Sequence, residues 1–206
     1  MAPRYDAFRP RETGEEFEAT HVGKIRESKK LYEELMRCRA PGPIEKPYWK
    51  FSDAMRVIRD HAQPYPDATH PTVPLGRQIL AIMRQKLNLS RDEEERLRFY
   101  TSAGKNSPLD VLHGVDAWIE TDRPDESWTD FITLDLTLDP RKQELGYKAD
   151  IIVGALPDPD DVPGYHEAVT PYAERVLQML RDKQQQRSPR THLWTGKPGS
   201  LGPTKR

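Results

Sequence analysis

The residues in this chain best suited to chemistry are carboxylates set into three short strand-like runs. The runs read HGVDAWIE from His113, ITLDLTLDPRK from Ile132 and YKADIIVG from Tyr147. Side chains of a strand alternate between its two faces. In the first run Val115, Ala117 and Ile119 share a face, and Asp116, Trp118 and Glu120 share the other. In the second, Ile132, Leu134, Leu136 and Leu138 oppose Phe131, Thr133, Asp135 and Thr137. In the third, Ala149, Ile151 and Val153 oppose Lys148, Asp150 and Ile152. Packing the apolar faces on one core gathers Asp116, Glu120, Asp135, Asp150 and Lys148 on the far side of the sheet. Carboxylates that close repel unless one keeps its proton or a cation lies between them. Magnesium suits such a place, because it takes one or two carboxylates, keeps several waters and binds substrate phosphates. A lysine beside it supplies positive charge where negative charge develops. The same pattern also describes the solvated face of an ordinary antiparallel sheet.

The elements that must position these groups are legible in part. The connection TDRPDESWTD is about ten residues long and turn-rich, which favours an antiparallel hairpin and brings Asp116 or Glu120 near Asp135. A charged segment from about Glu15 to Arg39 carries Val22, Ile25, Lys29, Tyr32, Leu35 and Met36 near one stripe, which predicts a single surface helix. Residues 40–49 form a proline-rich connector, and Ser52 is placed to cap a short helix with Met55, Ile58 and Ala62 inward. Four prolines in 63–74 predict a loop or extended wrap. Pro74 opens a helix with Leu75, Ile79, Ile82, Met83 and Leu87 on its apolar stripe, ending near Asn88. Ser90 and Glu93 form a capping box, which predicts a second helix to about Ser102. After the strands, 156–165 is an acidic turn region, and Thr170-Pro171 opens a helix with Tyr172, Val176, Met179 and Leu180 inward. Residues 187–206 carry five basic residues and no acid, and read as a disordered tail.

The chain has 206 residues, 35% of them apolar and 32% charged, with 19 prolines. One domain with extensions fits that length. The division is a helical extension over 1–90 packed on the core, a core over 91–186 and the tail. With 32 basic and 33 acidic residues, overall charge argues neither for nor against nucleic acid. The single cysteine, Cys38, forms no internal disulfide, and no run approaches the roughly 20 apolar residues of a membrane span. The expected location is cytoplasmic, without a membrane partner. His61 and His70 have no partner at metal-ligand spacing and read as surface residues.

The order of helix, strand with Asp, hairpin, strand with Asp and a further strand resembles the PD-(D/E)xK nuclease superfamily, over roughly residues 91–155. That resemblance implies an α+β fold with a small mixed or antiparallel sheet flanked by helices, a restriction-endonuclease-like core. It implies cleavage of DNA phosphodiester bonds with Mg or Mn. Asp116 matches the motif's first aspartate and Asp135 its second acid, with Asp150 a further metal ligand. The glutamates 93–95 would correspond to a helix that in some members supplies another acid. The motif's lysine position is Thr137 here, so Lys148 or Lys142 takes that role, with Glu120 as an additional catalytic carboxylate. His113 has two readings, general base or structural. Trp118 likewise has two, stacking on a base or lying covered by a helix. An alternative reading is a nuclease-like fold that no longer cleaves. It would serve as a binding or assembly module, meeting a protein partner through the N-terminal helix and the proline-rich segment.

Overall fold

A computed structural model describes residues 13–42, 47–122, 129–143 and 148–187. The basic tail expected over 187–206 lies outside these, apart from Arg187 at the end of a helix. The fold is α+β, built on one four-stranded sheet in the order β1-β2-β3-β4. The strands are β1 (Leu97–Thr101), β2 (Ala117–Asp122), β3 (Thr129–Leu136) and β4 (Ile151–Val153). The pairs β1–β2 and β2–β3 are antiparallel, as the short connection between the acidic runs requires, and β3–β4 is parallel. A parallel neighbour needs a crossover of a dozen or more residues. Residues 137–150 provide it, and their described part includes a 3-10 turn at Pro140–Gln143.

Helices cover both faces. The helices are α1 (Gly14–His21), α2 (Lys29–Cys38), α3 (Phe51–His61), α4 (Pro74–Leu87), α5 (Pro108–His113) and α6 (Val162–Arg187). On one face Leu97, Phe99, Ala117, Ile119, Ile132, Leu134 and Leu136 meet α1, α4 and α6 through Phe17, Leu75, Ile79, Met83, Val169 and Val176. On the other, Tyr100 and Trp118 meet α2, α3 and α5 through Leu31, Leu35, Met55, Ile58 and Leu109. The acidic side of the sheet is therefore not half-solvated as its alternation suggests. Trp118 is fully buried and stacks on Tyr100 at 5.0 Å between ring centroids. Val115 precedes β2 and turns into this second cluster rather than sharing a face with Ala117.

Four expectations are corrected. The segment from Glu15 to Arg39 is two helices, not one. Thr13 and Glu16 form a capping box for α1, Gly23 at φ +71° turns the chain, and the Ser28 hydroxyl accepts from the Leu31 N–H to start α2. Ser52 lies inside α3 rather than before it, the N-cap being Lys50. The Glu93 carboxylate does accept from the Ser90 N–H and hydroxyl, yet the chain runs on into a 3-10 turn at Arg91–Arg96 and then β1. Leu97, Phe99 and Thr101 alternate with Arg98 and Tyr100, a period-two pattern rich in aromatic and β-branched residues. Cross-strand pairing with β2 decides the outcome. Lastly, α6 begins at Val162, eight residues before Thr170, and carries Pro171 inside it.

One glycine in α4 is set by packing. A Cβ at Gly76 would lie 2.6 Å from Cδ1 and 2.8 Å from Cγ of the fully buried Phe99 ring. Alanine would favour the helix by about 1 kcal/mol, but overpacking a tight core costs about 1–3 kcal/mol, and the ring has nowhere to go. Gly76→Ala is expected to destabilise the protein, by up to about 2 kcal/mol, in a urea titration. A stabilised variant would show that β1 gives way easily to α4.

Candidate functional site

The register of the central hairpin places the first pair of carboxylates. Ala117 faces Leu134 and Trp118 faces Thr133, so continuing one step puts Asp116 opposite Asp135. The Asp116 N–H donates to the Leu134 carbonyl at 2.9 Å, and its Oδ2 accepts from the Leu136 N–H at 2.6 Å. Both aspartates are only 2% exposed. The Lys142 ammonium, from the 3-10 turn after β3, lies 3.2 and 3.3 Å from the two Asp135 oxygens.

Two further acids come from elements outside the strands. α5 starts at Ser107-Pro108, with the Ser107 hydroxyl accepting from the Asp110 N–H, and closes at Gly114 in the left-handed region at φ +61°. Its Asp110 is held by the Gly104 N–H at 2.8 Å. Glu18 projects from α1. One ligand atom each of Glu18, Asp110 and Asp116 lie within 4.8 Å of one another. These three carboxylates, with Asp135, Lys142, Lys148 and His113, line a cleft of ≈ 420 Å³. Lys148 is exposed and donates to the Leu112 carbonyl at 2.9 Å. His113 holds the Trp49 carbonyl at 3.1 Å through Nε2 and meets the Phe51 ring edge-on, a structural engagement at the wall of the cleft.

The electrostatics arise from this crowding. Burial first, then the neighbouring Glu18 carboxylate, pushes Asp116 up to about 9, against the pull of the Leu136 N–H. Burial, then Asp110, pushes Glu18 up to about 7. Asp110 is also raised, by burial first and with Asp135 adding to it, although the Gly104 N–H opposes the shift. Without a cation, the cluster holds protons that free carboxyls would have lost. At acid pH, below the ordinary values of 3.8 and 4.5, these groups are protonated in folded and unfolded chains alike. As pH rises the unfolded carboxyls ionise first, the folded state binds more protons, and stability falls. The metal-free protein is expected to lose thermal stability steadily between about pH 5 and pH 9, with millimolar Mn²⁺ flattening the profile. Scanning calorimetry at fixed ionic strength reads both, and a flat metal-free profile would contradict the crowding.

The structure thus brings Asp116, Asp135, Lys142 and Lys148 to one cleft and leaves Glu120 and Asp150 out of it. Glu120 lies four residues along β2, about 13 Å from Asp116. It is 3% exposed, its Oε1 accepting from Trp118 Nε1 at 3.0 Å and from Arg59 Nη1 at 3.3 Å, with Arg98 Nε 3.7 Å from Oε2. It is a buried counter-charge, not a solvated acid beside Asp135. Asp150 is tied to Thr133: its Oδ2 accepts from the Thr133 N–H and hydroxyl, and its N–H donates back to Oγ1, all at 2.9 Å. Thr137 uses its hydroxyl to accept from the Asp139 N–H. Glu93 caps the turn before β1 and does not line the cleft.

Glu18 and Asp110 escaped the sequence reading. Glu18 sits on a segment expected to be one continuous helix, where its neighbours Glu15 and Glu16 look equally suitable. Asp110 had a usable signal: Ser107-Pro108 is a helix start and Gly114 a helix stop, which together mark the short helix that carries it. No protein-family model, curated protein or solved structure matches the chain.

Proposed function

We propose that the cleft at the end of the β2–β3 hairpin is a divalent-cation site for hydrolysis of phosphodiester bonds in DNA. One observation carries this reading: carboxylates from α1, α5 and the start of β2 converge to within 4.8 Å, at the cost of holding protons at neutral pH. An all-oxygen, anionic donor set suits hard cations such as Mg²⁺ or Mn²⁺. The residues fit such an ion, since a cation would replace the protons that Asp116 and Glu18 retain. Bound there, it would supply a water of lowered pKa and charge stabilisation at the phosphoryl oxygens. The chain's own parts divide the remaining work. The Leu136 N–H fixes the Asp116 carboxylate, and the Gly104 N–H fixes Asp110. Asp135 holds Lys142 at the cleft, where its ammonium would face the charge that develops on a scissile phosphate. Lys148 adds a second cation on the lining of the same cleft.

The PD-(D/E)xK resemblance supports the same reading, and the geometry adds two things to it. The antiparallel β1–β2–β3 meander with β4 parallel to β3 brings Asp116 and Asp135, the residues that resemble the motif's two acids, to one cleft. Lys142, from the turn after β3, reaches Asp135 although Thr137 holds the motif's lysine position. The test is cleavage of supercoiled plasmid and of single-stranded DNA with Mg²⁺, Mn²⁺ or EDTA, comparing the intact protein with Asp135→Ala. Metal-dependent nicking that the variant loses is the expected result. Metal binding by calorimetry without cleavage of either substrate would instead favour a module that binds but does not cut.

A further inference from the structure

We infer that the apolar groove beside the acidic cleft is a subsite for an unpaired nucleobase, so that the substrate is a single strand or a frayed end rather than an intact duplex. This rests on the hydrolytic reading of the cleft and deepens it. The groove, ≈ 310 Å³, runs between α2 and α5 and is walled by Tyr32, Leu35, Met36, Trp49, Val111 and Leu112. Tyr32 is 40%, Met36 59% and Val111 63% exposed, an apolar surface left open to water by a small protein. Its place is what gives it meaning. Val111 and Leu112 wall both the groove and the acidic cleft, and Val111 is the immediate neighbour of Asp110, with successive Cα atoms about 3.8 Å apart. Metal-philic oxygens and apolar wall therefore lie within reach of a single nucleotide. Its phosphate belongs with the carboxylates and their cation, and its base needs a flat apolar slot next door.

The chemistry of the rim agrees. Lys105 and Asn106 stand at the groove's polar edge, the ammonium paired with Glu15 at 3.0 Å and the amide donating to Glu27 at 2.8 Å, and each keeps a further N–H to offer a base or a phosphate. A second half-exposed aromatic, Tyr48, meets His113 edge-on at the cleft wall, 6.1 Å between centroids. Aromatic stacking is indifferent to base identity but requires that the base leave its pair, which a duplex does not permit without flipping.

The test measures binding of labelled oligothymidylate, oligouridylate and a hairpin duplex of equal length, with Ca²⁺ in place of Mg²⁺ to suppress cleavage. Tight binding of either single strand over the duplex is expected, the preferred one naming the sugar. Tyr32→Ala is expected to weaken single-strand binding by about 5- to 150-fold and to leave duplex binding and Ca²⁺ affinity unchanged. Tyr32 is 40% exposed and its hydroxyl donates to the surface Glu27 carboxylate at 2.8 Å, so the more exposed Met36, as Met36→Ser, provides a second variant on the same wall. Equal binding of duplex and single strands, or single-strand affinity indifferent to both variants, overturns the proposal. So does a dimer in sedimentation velocity that Met36→Ser dissociates, which would assign the groove to a second copy of the chain. Failure of the two readings is separable. Single-strand binding that depends on Tyr32, without any metal-dependent cleavage, removes the hydrolysis and keeps the subsite. Cleavage of duplex and single strand alike, insensitive to Tyr32, does the reverse.

Discussion

Asp116→Asn is expected to abolish metal-dependent cleavage and, at the same time, to make the metal-free protein more stable. The two effects share one cause. Asp116 is the most buried member of the carboxylate cluster and the only one pushed up to about 9. An uncharged amide of the same shape keeps an acceptor for the Leu136 N–H and, like the protonated carboxyl, presents no charge to Glu18 and Asp110, without the cost of holding a proton that the unfolded carboxyl has lost. Each unit between the unfolded and folded pKa is worth about 1.4 kcal/mol, and about four units separate the ordinary aspartate value of 3.8 from pH 8, so the gain there is up to about 6 kcal/mol, or roughly 10–20 °C in melting temperature for a chain of this size. At pH 3, below the ordinary aspartate value of 3.8, the unfolded carboxyl is itself largely protonated and the gain should vanish. Cleavage should fall by more than about 100-fold, because loss of a residue that only supports a metal ligand already costs about 10- to 100-fold. Mn²⁺ should stabilise the intact protein and not the variant. Melting curves at the two pH values with and without Mn²⁺, beside a nicking assay, read every part. A variant that is less stable at pH 8 would mean that the carboxylate is a structural acceptor and that the cluster carries no electrostatic stress.

How far the sequence reveals this site depends on which interactions are local. The β2–β3 hairpin comes from alternation and a short connection, and with it the meeting of Asp116 and Asp135. The start of α4 at Pro74 and its end at Asn88 come from local backbone chemistry, and Asn88 does adopt the left-handed cap, at φ 50°. The failures are decided at a distance. The Ser90–Glu93 capping box forms, but cross-strand pairing turns the residues after it into β1. Glu120 has the same alternation as Asp116, and only the arrival of Arg59 from α3 and Arg98 from β1 gives it a different office. Asp150 looks like a face residue of a longer strand, yet β4 is three residues long and the aspartate closes a reciprocal pair with Thr133. Glu18 and Asp110 reach the cleft because α1 and α5 dock at the end of the sheet, and no spacing within either segment encodes that meeting.

Glu120→Ala is expected to do the opposite of Asp116→Asn: to cost about 2–4 kcal/mol of stability and to leave metal affinity unchanged. The carboxylate is buried among Trp118, Arg59 and Arg98. Its removal strips the fully buried Trp118 N–H of its acceptor, and leaving such a donor unsatisfied costs about 1–3 kcal/mol. The arginines lose a counter-charge but are not stranded. Arg98 keeps a two-pronged pair with Asp122 at 2.5 and 2.6 Å, and Arg59 keeps Asp60 at 3.2 Å. That is why the expected cost begins below the roughly 3–5 kcal/mol typical of a broken buried pair. Glu120→Gln separates the contributions, since its amide oxygen still accepts from Trp118 while the charge is gone, so about half of the loss should return. A urea titration with an unchanged slope and a lowered midpoint would identify a native-state effect. The site readout is calorimetric binding of Mn²⁺, expected to match the intact protein because Glu120 lies about 13 Å along the strand from Asp116. Loss of Mn²⁺ binding in a folded Glu120→Gln protein would instead place this carboxylate in the site. With Mn²⁺ binding retained, two acids four residues apart, Asp116 just before β2 and Glu120 within it, one stabilising when neutralised and one as a buried partner of two arginines, mark where the sheet's structural duty ends and its chemistry begins.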